Sequence, residues 1–537
     1  MLAHASSFLS SSSSDIESDA YPLSQPRTKT VDSADSASPA ENPIVDVRRR
    51  APERPIGPTN ALELHEWDAF LLSALRREGC MGRLLENVAG GVEVRTQYSG
   101  MGCPEQALAM ILQGLTALDP NLENKITTYS ATEQMPLPRR VLLSHSPSPL
   151  RAKHMFGDVC NAVGEDVLAE LHRVAAKYRS EAEVTVQSGD ATKKRRLRKA
   201  TSSPDGGSGE RFLRDCWAVL DKTSLPPGHT QYCYRCSVDC PTRSDASCLL
   251  RIEIAGTTCV AFSMRGKQGQ WMHESAIPCI IWMWQLRQRR PHIVVHECTP
   301  QFTESVFSTY LEDIYVVETK TFCPSDLGMP SRRKRKYSIL RLKKAIEGEK
   351  AFGGKACDFE SMTFRAVQLP GAVYCQATQK HLDRWCVERA LATGQPTRGC
   401  SQPGRAYTLV SQARLRTWKG YEELHAQPRY ENKDIADLTQ TPANSFRIIS
   451  NYVPTMLKNS DLVNLRLRRP FHPLEYLHAL NIPIFSSSRT CLMSGVAQNL
   501  SMQETQQLAG NGMNLSQVGS VLLFALATSR VKHQLAE

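Results

Sequence analysis

Chemically competent side chains recur where strand-like runs stop. In RIEIAGTTCVAFSMRGKQGQ, residues 251–270, an alternating run ends in Thr257 and Thr258, and Cys259 follows just before a loop punctuated by Gly266 and Gly269. The short buried-type run HIVVHEC delivers Glu297 in the same way. A thiol and a carboxyl brought to one rim are a candidate nucleophile and proton donor. A cysteine by itself is more often a small buried hydrophobe, so the neighbours decide. Two more runs supply them. GVEVRTQYSG turns at Tyr98, Ser99 and Gly100, with Gly102 soon after, and glycines there let the backbone approach a ligand at a helix N-terminus. KITTYSATE ends at Glu133, an acid placed to accept from ribose hydroxyls. Gly102 and Glu133 stand 31 residues apart, against about 20 in the common dinucleotide fingerprint, so this pair alone is a weak match.

The elements that must position these groups follow from periodicity. NALELHEWDAFLLSALRREG carries Leu62, Trp67, Phe70, Leu71 and Leu75 at helical spacing. PEQALAMILQGL predicts a helix, with Pro104 suited to its first turn, and ESAIPCIIWMWQLRQRR predicts another. IYVVETKTF and KYSILRL are two further strands. Strands alternating with helices imply an α/β fold with a mostly parallel sheet and helices on both faces, whose ligands bind beyond the carboxyl ends of the strands.

Composition bounds the partners. The chain of 537 residues has room for two or three domains. No stretch reaches the roughly 18 consecutive apolar residues of a membrane span, and no secretory or transit peptide is expected at the start. The 17 irregularly spaced cysteines suggest a reducing compartment and free thiols. A net charge of +11 is modest, but KKRRLRK (Lys193–Lys199) and RRKRK (Arg332–Lys336) are dense cationic runs, suited to a polyanion or a nuclear-import receptor. Cys233, Cys236, Cys240 and Cys248, with His229 nearby, offer zinc-ligand types, but one CxxC followed by looser spacing assigns no metal.

In order along the chain, these pieces resemble the cytosine-5 DNA methyltransferase family over residues 92–160, 250–340 and 466–520. YSGMG is similar to the motif that wraps the methionine end of S-adenosylmethionine, which implies cofactor contacts from Tyr98, Ser99, Gly100 and Gly102. The resemblance further implies that Glu133 binds ribose and that Asp158, in FGDV, accepts from the adenine amine. AGTTCVAFSMRGKQ resembles the nucleophile loop, making Cys259 the implied nucleophile, and HECTPQF matches the glutamate motif through Glu297. LGMPSRRKRKYSIL places Arg333 and Arg335 in the two arginine positions. RRPFHPLEYLHALNIP resembles the late motif that orients the recognition region, through Arg469, His472, Pro473, Glu475 and Pro483. AGNGMNLSQVG implies that Asn511 closes over the cofactor.

The implied fold is a Rossmann-like methyltransferase sheet with a smaller target-recognition region. The expected organisation is a disordered tail at 1–60, a catalytic domain at 61–340 with a polar insertion at 165–247, a recognition region at 341–465, and late motifs at 466–537. The implied activity is methyl transfer from S-adenosylmethionine to carbon 5 of cytosine in duplex DNA, in a nucleus. Departures keep two alternatives open. Where the family has Pro-Cys-Gln, this chain has Thr258, Cys259 and Val260; Glu-Asn-Val becomes Glu297, Cys298 and Thr299; a glutamine becomes Ser331. The alternatives are the same chemistry on RNA and a catalytically weakened, nucleic-acid-binding regulator.

Overall fold

The computed structural model describes residues 54–187, 207–226, 228–244, 250–258, 271, 273–348, 358–392, 394, 410–442 and 449–532. Most of the expected tail, the KKRRLRK run, Cys248, and Cys259 with Val260 lie outside the described residues. The strands are β1 (Val92–Gln97), β2 (Ile126–Thr132), β3 (His154–Phe156), β4 (Thr230–Cys233), β5 (Val238–Pro241), β6 (Leu250–Gly256), β7 (Ile293–Cys298), β8 (Tyr315–Phe322) and β9 (Arg335–Leu342). Seven of them form one sheet in the order β3-β2-β1-β6-β7-β9-β8, while β4 and β5 form a separate hairpin. The first five neighbours run parallel, and β9 is antiparallel to both β7 and β8. The sheet is therefore Rossmann-like and mostly parallel, as the alternation of elements implied.

Successive side chains of a strand point to opposite faces, and both faces here are covered. Ile293 and Val295 enter one core with Val92, Val94, Ile252 and Ile254, whereas Val294 enters the other. Burial on both sides is why these strands read as continuous apolar runs. On the first face lie the helices Trp67–Arg77, Met81–Ala89, Cys103–Leu118 and Leu515–Thr528. Every residue of the last is buried, and a Cβ on its Gly519 would overlap the Trp67 ring. On the second face, Ile277–Arg289 packs with the helices Glu165–Gln187 and Ser208–Leu220 through Ile280, Trp284, Leu171, Ala175, Phe212 and Trp217. The stretch read as a polar insertion thus contributes two helices to the main core.

A smaller core stands apart. The helix Gln412–His425 packs through Trp418 and Tyr421 on an antiparallel sheet of Ile435–Asp437, Leu462–Asn464 and Arg469–Pro470. Its buried residues run from Val410 to Leu465, within the region set aside at 341–465. Among the described cysteines, twelve are outside any disulfide and Cys80 is disulfide-bonded. No helix among the described residues is long and apolar enough to cross a membrane.

Candidate functional site

The strand order reverses direction at β1, which has β2 on one side and β6 on the other. Such a switch point opens a crevice beyond the carboxyl ends of the strands. The loop leaving β1 bends through three left-handed residues, Tyr98 (φ 53°), Gly100 (φ 56°) and Gly102 (φ 91°). Gly102 caps the helix Cys103–Leu118, and a Cβ there would overlap His145. Gly100 differs: among the described residues a Cβ on it would meet nothing within 4 Å. Ser99 ties this loop to β2, donating from its amide to the Thr132 carbonyl at 3.1 Å.

Glu133, just past the end of β2, accepts from the Gly100 amide through Oε2 at 2.8 Å and from the Met135 amide through Oε1 at 2.8 Å. Burial raises its carboxyl above the ordinary carboxylate range, although both amides pull the other way. Asp158 follows β3 and accepts from the Cys160 amide through Oδ1 at 2.8 Å. Beside these acids the Tyr98 hydroxyl is buried without a hydrogen-bond partner among the described residues, and burial drives its titration well up. Glu133, Asp158 and the Gly100 backbone thus lie together at the carboxyl ends of β1, β2 and β3, with the Tyr98 hydroxyl buried behind them.

The other side begins where β6 ends. Thr257 and Thr258 are described, and Cys259, the next residue, is not. Gly256 pairs in register with Glu297 of β7, and a Cβ on Gly256 would lie 3.6 Å from Glu297 Oε2. Arg335 opens β9, with its Nε 2.9 Å from Glu297 Oε1, and both side chains are nearly buried. Arg333 reaches the late segments: its Nη1 donates to the Met456 carbonyl at 3.3 Å and its Nη2 to the Gly510 carbonyl at 3.0 Å. Of the two motif arginines, Arg335 thus meets the Glu297 carboxyl and Arg333 ties in the late segments. Asn511, at the end of the helix Met502–Asn511, is exposed; its neighbour Gly512 is buried where a Cβ would crowd Met101 in the β1 loop.

Comparison with known proteins adds a limited finding. No family model matches the chain, and no curated protein matches it. Among solved structures, one described as a DNA modification methyltransferase encoded within an E. coli prophage aligns over 81% of this chain and 98% of its own, at 11% identity and a TM-score of 0.39. A Spodoptera frugiperda DNMT2 mutant aligns over 81% and 99%, at 12% identity and a TM-score of 0.36. An Entamoeba histolytica methyltransferase aligns over 81% and 98%, at 12% identity and a TM-score of 0.37. Values this low decide neither family nor reaction.

One support of the site was not singled out in the sequence, and another was. His296, on β7, is fully enclosed by Trp282, Phe302 and Phe307, and burial pushes its imidazole down to about 3, so it is neutral. Its Nε2 lies 2.7 Å from Thr257 Oγ1, which anchors the root of the loop that carries Cys259. A histidine inside an apolar strand was the available signal. The late motif acts as a clamp: Arg469 grips buried Glu475 with two bonds of 2.8 and 2.7 Å, and Glu475 also accepts from the amides of His472 and Ala377. Charge-assisted paired bonds of this kind fix orientation as well as adding energy.

Proposed function

We propose that this chain is an S-adenosylmethionine-dependent methyltransferase acting at carbon 5 of cytosine in DNA. The observation that carries the reading is convergence at one rim. Glu133 and Asp158 border one side of the switch-point crevice, the Glu297–Arg335 pair borders the other, and β6 leads between them to Cys259. The Gly100 backbone, the two acids and the unpartnered Tyr98 hydroxyl fit a cofactor with a ribose, an adenine amine and an amino-acid end. Glu133 would hold the ribose, Asp158 the amine, and the loop Tyr98–Gly102 the methionine end.

When bound, S-adenosylmethionine supplies an electrophilic methyl group. Cytosine carbon 5 is a poor nucleophile until something adds to carbon 6. In this reading the Cys259 thiolate adds there and pushes an electron pair onto carbon 5, which takes up the methyl group as the sulfonium becomes a neutral thioether; a base then removes the carbon 5 proton, and the electron pair of that bond expels the thiolate and restores the ring. Glu297 holds the ring nitrogen, and Arg335 orients the Glu297 carboxyl. The base must first leave the stack, at a cost of a few kcal/mol. Within the RRKRK run Lys334 is exposed and free to meet a phosphate, while Arg333, Arg335 and Lys336 are engaged inside the protein.

The test is a duplex containing 5-fluorocytosine, which traps the adduct because fluorine cannot leave as a proton does. A thiol-dependent protein–DNA adduct, absent in Cys259→Ser, supports the reading, as does labelled methyl transfer to unmodified duplex. Transfer to tRNA but not duplex DNA would move the substrate to RNA. Intact cofactor binding with neither adduct nor transfer would leave a non-catalytic binder. The proposed compartment is the nucleus, reached through the KKRRLRK run: alanine replacement of Lys193, Lys194, Arg195 and Arg196 should move a fluorescent fusion to the cytoplasm, and undisturbed nuclear accumulation would make the run a solvated loop or a DNA contact instead.

A further inference from the structure

The hairpin β4–β5 lacks an apolar reason to hold its shape. Within residues 230–241 only Cys233 and Cys240 are buried, and Tyr232, Tyr234 and Val238 are exposed. An isolated two-stranded hairpin is marginal in water. Something other than a hydrophobic core must fasten this one. Its cysteines converge on a residue from another element: His154, at the start of β3, has Nδ1 3.9 Å from Cys233 Sγ and 3.8 Å from Cys236 Sγ. The ligand atoms of His154, Cys233, Cys236 and Cys240 all lie within 4.8 Å of one another. A tetrahedral zinc ion, with bonds of about 2.3 Å to sulfur and about 2.0 Å to nitrogen, holds its ligand atoms roughly 3.5–3.8 Å apart. Cys233 Sγ also accepts from the amides of Met155 (3.2 Å) and Cys236 (3.4 Å), the surroundings that suit a metal-bound thiolate.

We propose that His154, Cys233, Cys236 and Cys240 bind one structural zinc ion. Three thiolates and an imidazole form a closed set with no open position, which separates it from a catalytic zinc centre. The site joins the hairpin to the free edge of the sheet beside the cofactor crevice. The Tyr234 amide donates to the Met155 carbonyl at 2.7 Å, and the Tyr234 ring lies against Gly157, where a Cβ would approach to 3.2 Å, one residue before Asp158. Arg139 spans the remaining gap, with its guanidinium 3.8 Å from the Tyr234 ring centroid and a bond to the Glu133 carbonyl at 3.2 Å. The metal thereby holds the backing of both acids. The ligand set also departs from the four cysteines grouped in the sequence. His229 bonds Thr242 Oγ1 at 3.1 Å instead of joining the cluster, and the fourth ligand comes from β3.

Elemental analysis of the full chain, purified without chelator, should give one zinc per chain. Cobalt substitution should give the ligand-field bands of a tetrahedral ion and thiolate-to-cobalt charge transfer. His154→Ala and Cys236→Ser should lose the metal, while Cys248→Ser and His229→Ala should keep it. Should the ligand variants fail to fold, the cobalt spectrum of the unaltered chain decides. Zinc-free folded protein, an octahedral cobalt spectrum, or metal lost in Cys248→Ser but kept in His154→Ala would overturn the assignment. Metal content is independent of methyl transfer, so an inactive enzyme leaves this test intact.

Discussion

Glu133 does two things with one carboxylate. It anchors the Gly100 amide, which shapes the β1 loop, and in the proposed function it also holds the ribose. Glu133→Ala should therefore weaken S-adenosylmethionine binding by about 1–3 kcal/mol, the scale of a lost charged hydrogen bond. Titration calorimetry showing unchanged affinity would place the cofactor elsewhere. The arginines make a paired prediction. Arg335→Met should depress methyl transfer and also destabilise the fold, because it strands the nearly buried Glu297 carboxylate without its ion-pair partner. Arg333→Met should destabilise the fold by about 1–3 kcal/mol, since the carbonyls of Met456 and Gly510 lose their donor. Denaturant melts and single-turnover rates on both variants check this, and full transfer by a folded Arg335→Met variant would refute its role beside Glu297. The position of Glu133 and Asp158 just past buried strands was legible from the order of the runs. The split between Arg333 and Arg335 was not, because the groups that capture Arg333 lie more than a hundred residues along the chain.

The helix Leu515–Thr528 shows how tightly one element constrains another. Gly519 gives the Trp67 ring its place, so Gly519→Ala should cost about 1–3 kcal/mol through overpacking, despite alanine's better helix propensity. A denaturation midpoint equal to or above that of the unaltered chain would show that Trp67 can move aside. Strands were readable as elements: KYSILRL and IYVVETKTF fall within β9 and largely on β8. Their placement was less so. Apolar runs reveal that a segment is buried, not which way it runs, so the antiparallel insertion of β9 between β7 and β8 had no signature of its own. The helices Glu165–Gln187 and Ser208–Leu220 were masked by their polar outer faces, although Leu171, Ala175 and Phe212 sit on the core side. The partnership of His154 with three distant cysteines is a tertiary fact that spacing within the hairpin does not encode.

At the scale of the molecule, burial sets a pH window. Burial pushes His65, His296 and His472 down to about 3 and His145 and His478 to about 4. The unfolded chain takes up protons on these groups below about 6.5 and the native chain does not, so their contribution is present at neutral pH and lost as the pH falls. His145 alone accounts for about 2 kcal/mol at pH 5. Glu105 opposes them. Burial raises it to about 7, so its contribution is full below about 4.5 and lost as the pH rises through 7. Burial raises the Glu133, Asp68 and Asp461 carboxyls in the same direction as Glu105. The five deeply depressed histidines outweigh these acids: denaturation midpoints should fall between pH 7 and pH 5, and a flat or rising profile on acidification would refute this balance. The same core also has a history in time. The helix Leu515–Thr528 packs against Trp67–Arg77, Met81–Ala89 and Cys103–Leu118, and Asn87 donates to the Leu526 and Ser529 carbonyls. A ribosome adding about 5–20 residues per second makes those partners roughly 20–80 s before it makes the helix that covers them. For that interval the nascent sheet carries a large uncovered apolar face, so safe passage through synthesis depends on whatever shields it until the late segment arrives.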